Sequence, residues 1–318
     1  MALSAPEGKR PEKGDKIINE KIKAMVLASF VGDSLALGVH WIYDAARIAR
    51  EFGRVESFLT PKPDSYHPTK RKGQFTHYGD QAFVLLQSLA ARKAFDLTDF
   101  AERWRNLFAA YTGYYDEATK GTLRNFADGL GPESSASYSN ELAGAARIAP
   151  LVFCLRDDPG ALAAAARTQT AMTHGDPLTI DASELFAGAA LRILGGESPT
   201  SALTAMAEER FPGTPLARWM KDGIAHKGEE GVAGVGHLGQ SCYTPGAFPS
   251  VIQLIARYES DLKEALIQNV MAGGDSAARG MAVGMLLGAH LGEAAIPALW
   301  LAELERGEEI RGLLAELP

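Results

Sequence analysis

Apolar residues recur at intervals of three and four along most of this chain, and alternating β-branched runs are few, so the pattern predicts helices almost throughout. Ile17–Leu37 is the longest such stretch. Asp80–Lys93, Leu97–Tyr111, Ala161–Met172, Ala182–Leu194 and Ser201–Arg210 follow it, and Asp261–Val270, Ser276–Leu291 and Ile296–Leu317 complete the series. Clusters of Pro, Gly and Ser at 57–73, 129–139, 195–200 and 228–246 predict the connections. There is no dividing linker, internal repeat or low-complexity segment. The expectation is therefore an all-α fold: a single compact multi-helix bundle over residues 17–318 with a central cleft, its chemistry mounted on loops and helix ends. The first sixteen residues are polar, carry Pro and Gly and lack an apolar h-region, which predicts a flexible N-terminal arm rather than a signal peptide. No apolar run reads as long enough to span a bilayer.

Composition narrows the class of partner. The 318 residues are 46% hydrophobic and 22% charged, enough for one large core or two ordinary ones. A net charge of -7 and a pI near 5.6 argue against a nucleic-acid or membrane partner, so an anionic small molecule would have to be met by a local pocket. Cys154 and Cys242 lie far apart without metal-like spacing, which speaks against a disulfide framework or zinc cluster and for a cytoplasmic protein. The oligomeric state is left open.

Four segments place polar side chains where the helical pattern starts or breaks. In Ala272–Gly292, Asp275 follows Gly273–Gly274 and opens a run of small and apolar residues; it reads either as a helix N-cap or as a site residue presented at a helix start. In Gly32–Trp41, Asp33 interrupts an apolar face and His40 follows two turns later, which would set both on one helical face. A buried aspartate needs a partner, so Asp33 is an anchor or a site residue. His40 taken alone is more often a satisfied structural histidine. In Gly73–Gln81, the residues His77, Tyr78, Asp80 and Gln81 precede the helical pattern Ala82–Leu89 and would sit at its positive end, able to hold a metal-bound or hydroxyl-rich ligand; a capping Asp80 is the alternative. In Met172–Leu178, His174 is placed to face a cleft, whereas Asp176 before Pro177 reads as a turn former. Leu142–Leu151 adds Gly144, small enough for backbone amides to approach a ligand, and Arg147, read as structural. Cys242 and His237 share a loop, but a catalytic pair needs spatial reach, so they rank below the carboxylates.

Taken in order, these segments resemble the ADP-ribosylglycohydrolase superfamily from about Ile17 to Leu317. Gly32–Asp33 is similar to its opening Gly-Asp, Leu142–Pro150 to its small-residue segment, Thr173–His174 to its Thr-His turn, and Gly273–Asp275 to its closing Gly-Gly-Asp, with Ile296–Pro297 following. The resemblance implies an all-α fold with a central cleft and a hydrolase of ADP-ribose linkages using two Mg²⁺ ions, held by a Thr-Asp-Asp-Thr and an Asp-Thr-Asp-Thr motif. At the matching positions stand Tyr78, Gly79, Asp80 and Gln81, and Asp275, Ser276, Ala277 and Ala278; His40 stands where the family has a glutamate. What the resemblance implies here is Asp80 and Asp275 as metal ligands sharing one cleft, with one Mg²⁺, another divalent ion, or none. It implies Asp33, His40, Asp80 and Asp275 as catalytic residues, and His77, Tyr78, Gln81, Gly144, His174 and Ser276 as substrate contacts. The Tyr-Gly-Asp-Gln and His-Trp patterns look closer to the divergent branch that includes jellyfish crystallins and selenoprotein J-type proteins. The function so implied is hydrolysis of a glycosidic bond in an ADP-ribose-like ligand or an ADP-ribosylated protein. The alternatives are a catalytically silent binding or structural protein, and an enzyme for another nucleoside or sugar.

Overall fold

The long apolar stretch near the N-terminus forms α1 (Lys13–Ala36), which continues into a 3-10 turn at Leu37–Val39. The structure, a computed structural model, describes residues 13–317. The expected arm at 1–16 therefore lies outside the described residues up to 12, and residues 13–16 open α1 instead. Contrary to the sequence expectation, Ile18–Val39 is long and apolar enough to cross a membrane, but 94% of its most apolar window is buried inside the molecule. It is the central helix of the core.

After it come α2 (Ala45–Phe52), α3 (His77–Arg92), α4 (Leu97–Ala109) and α5 (Glu117–Ala127). The middle of the chain forms α6 (Ala143–Ala146), α7 (Ala149–Leu155), α8 (Pro159–Ala171), α9 (Pro177–Leu194), α10 (Pro199–Arg210) and α11 (Pro215–Ala225). The remainder forms α12 (Gly231–Leu238), α13 (Thr244–Arg257), α14 (Leu262–Met271), α15 (Ser276–Leu291), α16 (Ala298–Glu303) and α17 (Gly307–Ala315). Among the described residues there is no strand, only isolated bridges pairing Ser137 with His174 and Glu141 with Tyr243. The fold is all-α, and the buried hydrophobic residues from Ile22 to Leu317 form one cluster.

Local rules explain many of the helix starts. Asp158, Asp176 and Ser198 each accept a backbone N–H of the first turn, and each precedes a proline at the first helical position of α8, α9 and α10. Asp176 is thus a helix cap, not merely a turn former. The expected helix at Asp80–Lys93 begins earlier, at His77, because Thr76 takes the cap by accepting the Tyr78 N–H. The expected helix at Ile296–Leu317 divides into α16 and α17, with a break at Leu304–Arg306.

Tertiary packing overrides the glycine signal in one loop. The expected connection at 228–246 contains α12, whose glycines serve close contact: a Cβ on Gly231 would lie 2.6 Å from the Gln268 Cβ, and one on Gly234 would lie 2.5 Å from the Gln253 side chain. The same logic builds the centre of the molecule. Gly280, Gly284 and Gly288 form one ridge of α15, and added Cβ atoms there would run into the backbone of Gly32, Ala28 and Ala24 of α1. The pairing descends along α1 as it rises along α15, so the two helices are antiparallel with their backbones in contact. This seam sets the end of α1 beside the start of α15.

Candidate functional site

Gly273 and Gly274 have φ of +71° and +65°, the left-handed region in which glycine is at ease. Their turn is laced to its neighbours: Trp41 N–H donates to Gly274 O at 2.9 Å, Gly274 N–H to Ile42 O at 2.8 Å, and Asp275 N–H to Gln240 O at 2.8 Å. The buried Arg279 guanidinium donates to Gly273 O at 2.5 Å and Gln240 O at 3.0 Å. Asp275 is delivered as the N-cap of α15, accepting from Ala278 N–H at 3.2 Å, and is at the same time the centre of a buried polar cluster. His40 Nε2 lies 3.1 Å from its Oδ1, and Tyr78 donates its hydroxyl to Oδ2 at 3.2 Å. Burial pushes this carboxyl up, yet the His40 hydrogen bond and charge, with Arg279, hold it below the usual range. His40 passes the chain on, its Nδ1 lying 3.0 Å from His67 Nε2.

Asp33 and His40 do not share a helical face, because α1 ends at Ala36 and His40 is extended beyond the 3-10 turn. Asp33, fully buried, accepts the Thr76 N–H at 2.8 Å and the Thr76 hydroxyl at 2.5 Å, which ties α1 to the start of α3. Burial pushes its pKa up to about 6. Asp80 is paired within its own chain: its Oδ2 takes Lys70 Nζ at 2.5 Å and the Tyr111 hydroxyl at 2.7 Å, and its charge adds to the burial that raises Asp33. Gln81 is also engaged, its Oε1 accepting from Trp104 Nε1 at 2.8 Å and Arg147 Nη1 at 2.7 Å. Arg147 continues to Gln169 and Thr173, a structural role with no carboxylate in hydrogen-bond reach. His237 pairs with Glu229, while the Cys242 thiol lies against Glu141, so these two residues form no Cys–His pair.

His174 and Gly144 do come together. A Cβ on Gly144 would fall 2.6 Å from His174 Nδ1, so the glycine lets the imidazole lie against α6. His174 belongs to a group the sequence reading missed: Asp116, Glu141 and His174 present ligand-type atoms within 4.8 Å of one another. Asp116 caps α5 through Oδ1, accepting from Thr119 N–H at 2.8 Å, while Oδ2 lies 3.5 Å from His77 Nε2. Glu141 is fixed by its bridge to Tyr243 and by Leu142 N–H donating to Cys242 O at 2.8 Å. Its Oε2, His174 Nε2 and both ring nitrogens of His77 are buried without a hydrogen-bond partner, as is the expected substrate contact Ser276 Oγ. Burial, reinforced by the charges of Asp116 and Asp275, pushes Glu141 up to about 8. Burial raises Asp116 too, but the adjacent His77 outweighs it and the carboxyl stays below its ordinary range. Burial and Arg147 push His174 down to about 3.

Glu141 also lines a surface groove of about 440 Å³, together with Gly121, Arg124, Asn125, Ser139 and Tyr243. Of the three residues, Glu141 is the one that lines it. Glu141 carried only a weak sequence signal, a carboxylate immediately before the Leu142–Leu151 segment. Asp116 carried the same N-cap signature as several structural aspartates.

Comparison with known proteins agrees with this architecture. The sequence profile of the ADP-ribosylglycohydrolase family matches residues 15–318. Crystallin J1B of Tripedalia cystophora is 25% identical over 309 residues, covering 92% of this chain and 94% of the relative. ADP-ribosyl-[dinitrogen reductase] glycohydrolase of Rhodospirillum rubrum is 26% identical over 302 residues, covering 91% of each. A solved structure described as an ADP-ribosylglycohydrolase-related protein complex superposes with a TM-score of 0.78 at 27% identity, covering 95% of this chain and 98% of the other.

Proposed function

The chain belongs to the ADP-ribosylglycohydrolase family, and from that premise we propose that it hydrolyses a glycosidic bond in an ADP-ribose-type substrate without the family's pair of magnesium ions. One observation carries the reading. Three side chains with buried polar atoms that lack partners, His77, Glu141 and His174, lie about Asp116, with His77 Nε2 3.5 Å from the Asp116 carboxylate and Glu141 lining a groove. Each such atom costs about 1–3 kcal/mol in the ligand-free fold. A ribose, whose adjacent hydroxyls both donate and accept, supplies the missing partners. In this proposal His77, Gly144 and His174 remain substrate contacts, Asp116 and Glu141 join them, and Asp80 leaves the site. Asp33 and the His40–Asp275 pair become the wall that positions the start of α3 and the 273–275 turn.

The residues at the family's metal positions do not fit a magnesium pair. Two Mg²⁺ ions need oxygen-rich octahedral shells bridged by carboxylates. Here Asp80 faces an ammonium group, Asp275 is taken by an imidazole and a phenol, and Ala277 and Ala278 offer no ligand. The same substitutions favour a second reading, a catalytically silent member of the fold, in line with the crystallins among its relatives.

Calorimetry with ADP-ribose, with and without Mg²⁺, and turnover of an ADP-ribosylated peptide test the proposal. Magnesium-independent turnover that disappears in Glu141→Gln supports hydrolysis. Binding without turnover supports the silent reading, and the absence of both overturns the proposal.

A further inference from the structure

We propose that Asp116, Glu141 and His174 form a site for one divalent ion of the Zn²⁺ or Co²⁺ type, built without Asp80 or Asp275. This goes beyond the proposed function: the ion would take Glu141 Oε2 and His174 Nε2 itself, in place of direct ribose contacts to those two atoms.

Each of the three side chains is held with an atom to spare. Asp116 spends Oδ1 on the cap of α5, accepting from Thr119 N–H, and leaves Oδ2 towards His77. Glu141 uses Oε1 on the Cys242 thiol at 3.3 Å and keeps Oε2 unpaired. For His174 the tautomer the site requires carries its proton on Nδ1, and the neighbours accommodate it. Thr173 Oγ1 accepts from Arg147 Nη2 at 2.6 Å and can turn its own proton to Thr170 O at 3.5 Å, which leaves a lone pair for the His174 Nδ1–H at 2.8 Å. His174 Nε2 is then a bare acceptor, buried and without a partner, on a ring that brings one nitrogen within 4.8 Å of both carboxylates. A ring nitrogen pinned by a hydrogen bond on its far side, with the other free, is the arrangement a metal-ligating histidine needs.

Charge and spacing agree. Two carboxylates balance one dication, and among the described residues no lysine or arginine is a hydrogen-bond partner of either. Donor atoms bonded tetrahedrally to one ion at about 2.0–2.2 Å stand about 3.3–3.6 Å apart, so a site whose atoms lie within 4.8 Å closes when the side chains draw in by up to about 1.5 Å. An imidazole in the set selects a borderline ion over Mg²⁺, which prefers oxygen alone. His77 Nε2, 3.5 Å from Asp116 Oδ2, is placed to donate to that carboxylate or to become a fourth ligand. Entry would be from the groove that Glu141 lines.

The test uses the full-length protein after treatment with a chelator. Titration with Co²⁺, read by its optical spectrum, and with Zn²⁺, read by calorimetry, should give one ion per chain. Glu141→Gln and His174→Gln should each weaken binding by tenfold or more, while Asp80→Asn leaves it unchanged. Crystals of the unaltered protein soaked with Zn²⁺ should show an anomalous peak about 2.1 Å from His174 Nε2, an outcome that does not depend on a variant folding. No stoichiometric binding, a peak between Asp80 and Asp275, or binding lost in Asp80→Asn and kept in His174→Gln would each overturn the inference. ADP-ribose titrated into the chelated protein keeps the two proposals apart: ligand binding without ion binding sinks this one and leaves the other standing.

Discussion

Lys70 Nζ lies 2.5 Å from Asp80 Oδ2, with both side chains only 15% exposed. The carboxylate that the family pattern marks for a metal is instead neutralised by its own chain. Lys70→Met should destabilise the protein by about 3 kcal/mol, the order for breaking a largely buried pair from one side. Lys70→Met with Asp80→Asn should recover most of that loss. A double-mutant cycle in urea measures it, and strictly additive losses would contradict the pairing.

A second expectation concerns the α1–α15 seam. A Cβ on Gly32 would collide with the carbonyl of Gly280, so Gly32→Ala should cost about 1–3 kcal/mol by overpacking. Gly312 in α17 has nothing within 4 Å of where a Cβ would stand, and Gly312→Ala should stabilise by up to about 1 kcal/mol. Thermal melts of the two variants should move in opposite directions.

Acid should act through His67. Burial, with the charges of His40, His77 and Lys70 acting in the same direction, pushes its folded pKa far below the ordinary 6.5. Above pH 6.5 both states are neutral there and the group contributes nothing. Below it the unfolded chain takes a proton that the folded chain refuses, so stability falls as pH falls, by up to about 1.4 kcal/mol per pH unit. His67→Gln keeps a donor for His40 and does not titrate. Its stability between about pH 6.5 and 4.5 should therefore decline less steeply than that of the parent, and equal slopes would refute the assignment.

Magnesium should be a poor stabiliser. A ligand present at a hundred times its Kd adds about 2.7 kcal/mol to the folded state. If the family's metal positions no longer hold ions, the melting temperature should not move between chelator and ~10 mM Mg²⁺. A rise of several degrees that vanishes in Asp80→Asn would restore the magnesium reading.

Much of the helix content was legible because amphipathic spacing is local. α8, α9, α10, α14 and α15 lie within a few residues of their expected spans. What failed depended on distant partners. α12 looks like a loop until Gln253 and Gln268 are seen pressing on its glycines. His40 looks like a helix-face neighbour of Asp33 until the helix is seen to stop at Ala36, where the 3-10 turn carries His40 to Asp275. Gly144 and His174 were singled out separately, and the structure shows one making room for the other. Asp116 and Glu141 escaped notice because the contacts that place them, Asp116 with His77 and the bridge of Glu141 to Tyr243, join segments no local pattern connects.

The contact of Gly32, Ala28 and Ala24 with Gly280, Gly284 and Gly288 is made by main-chain atoms, which every amino acid shares. The place where α15 begins is thus registered against the end of α1 independently of which side chains stand at 40, 78, 277 or 278. Such a chassis tolerates wholesale exchange of ligating groups at those positions without surrendering its shape. A lineage built on it can lose one chemistry and acquire another while the frame stays put.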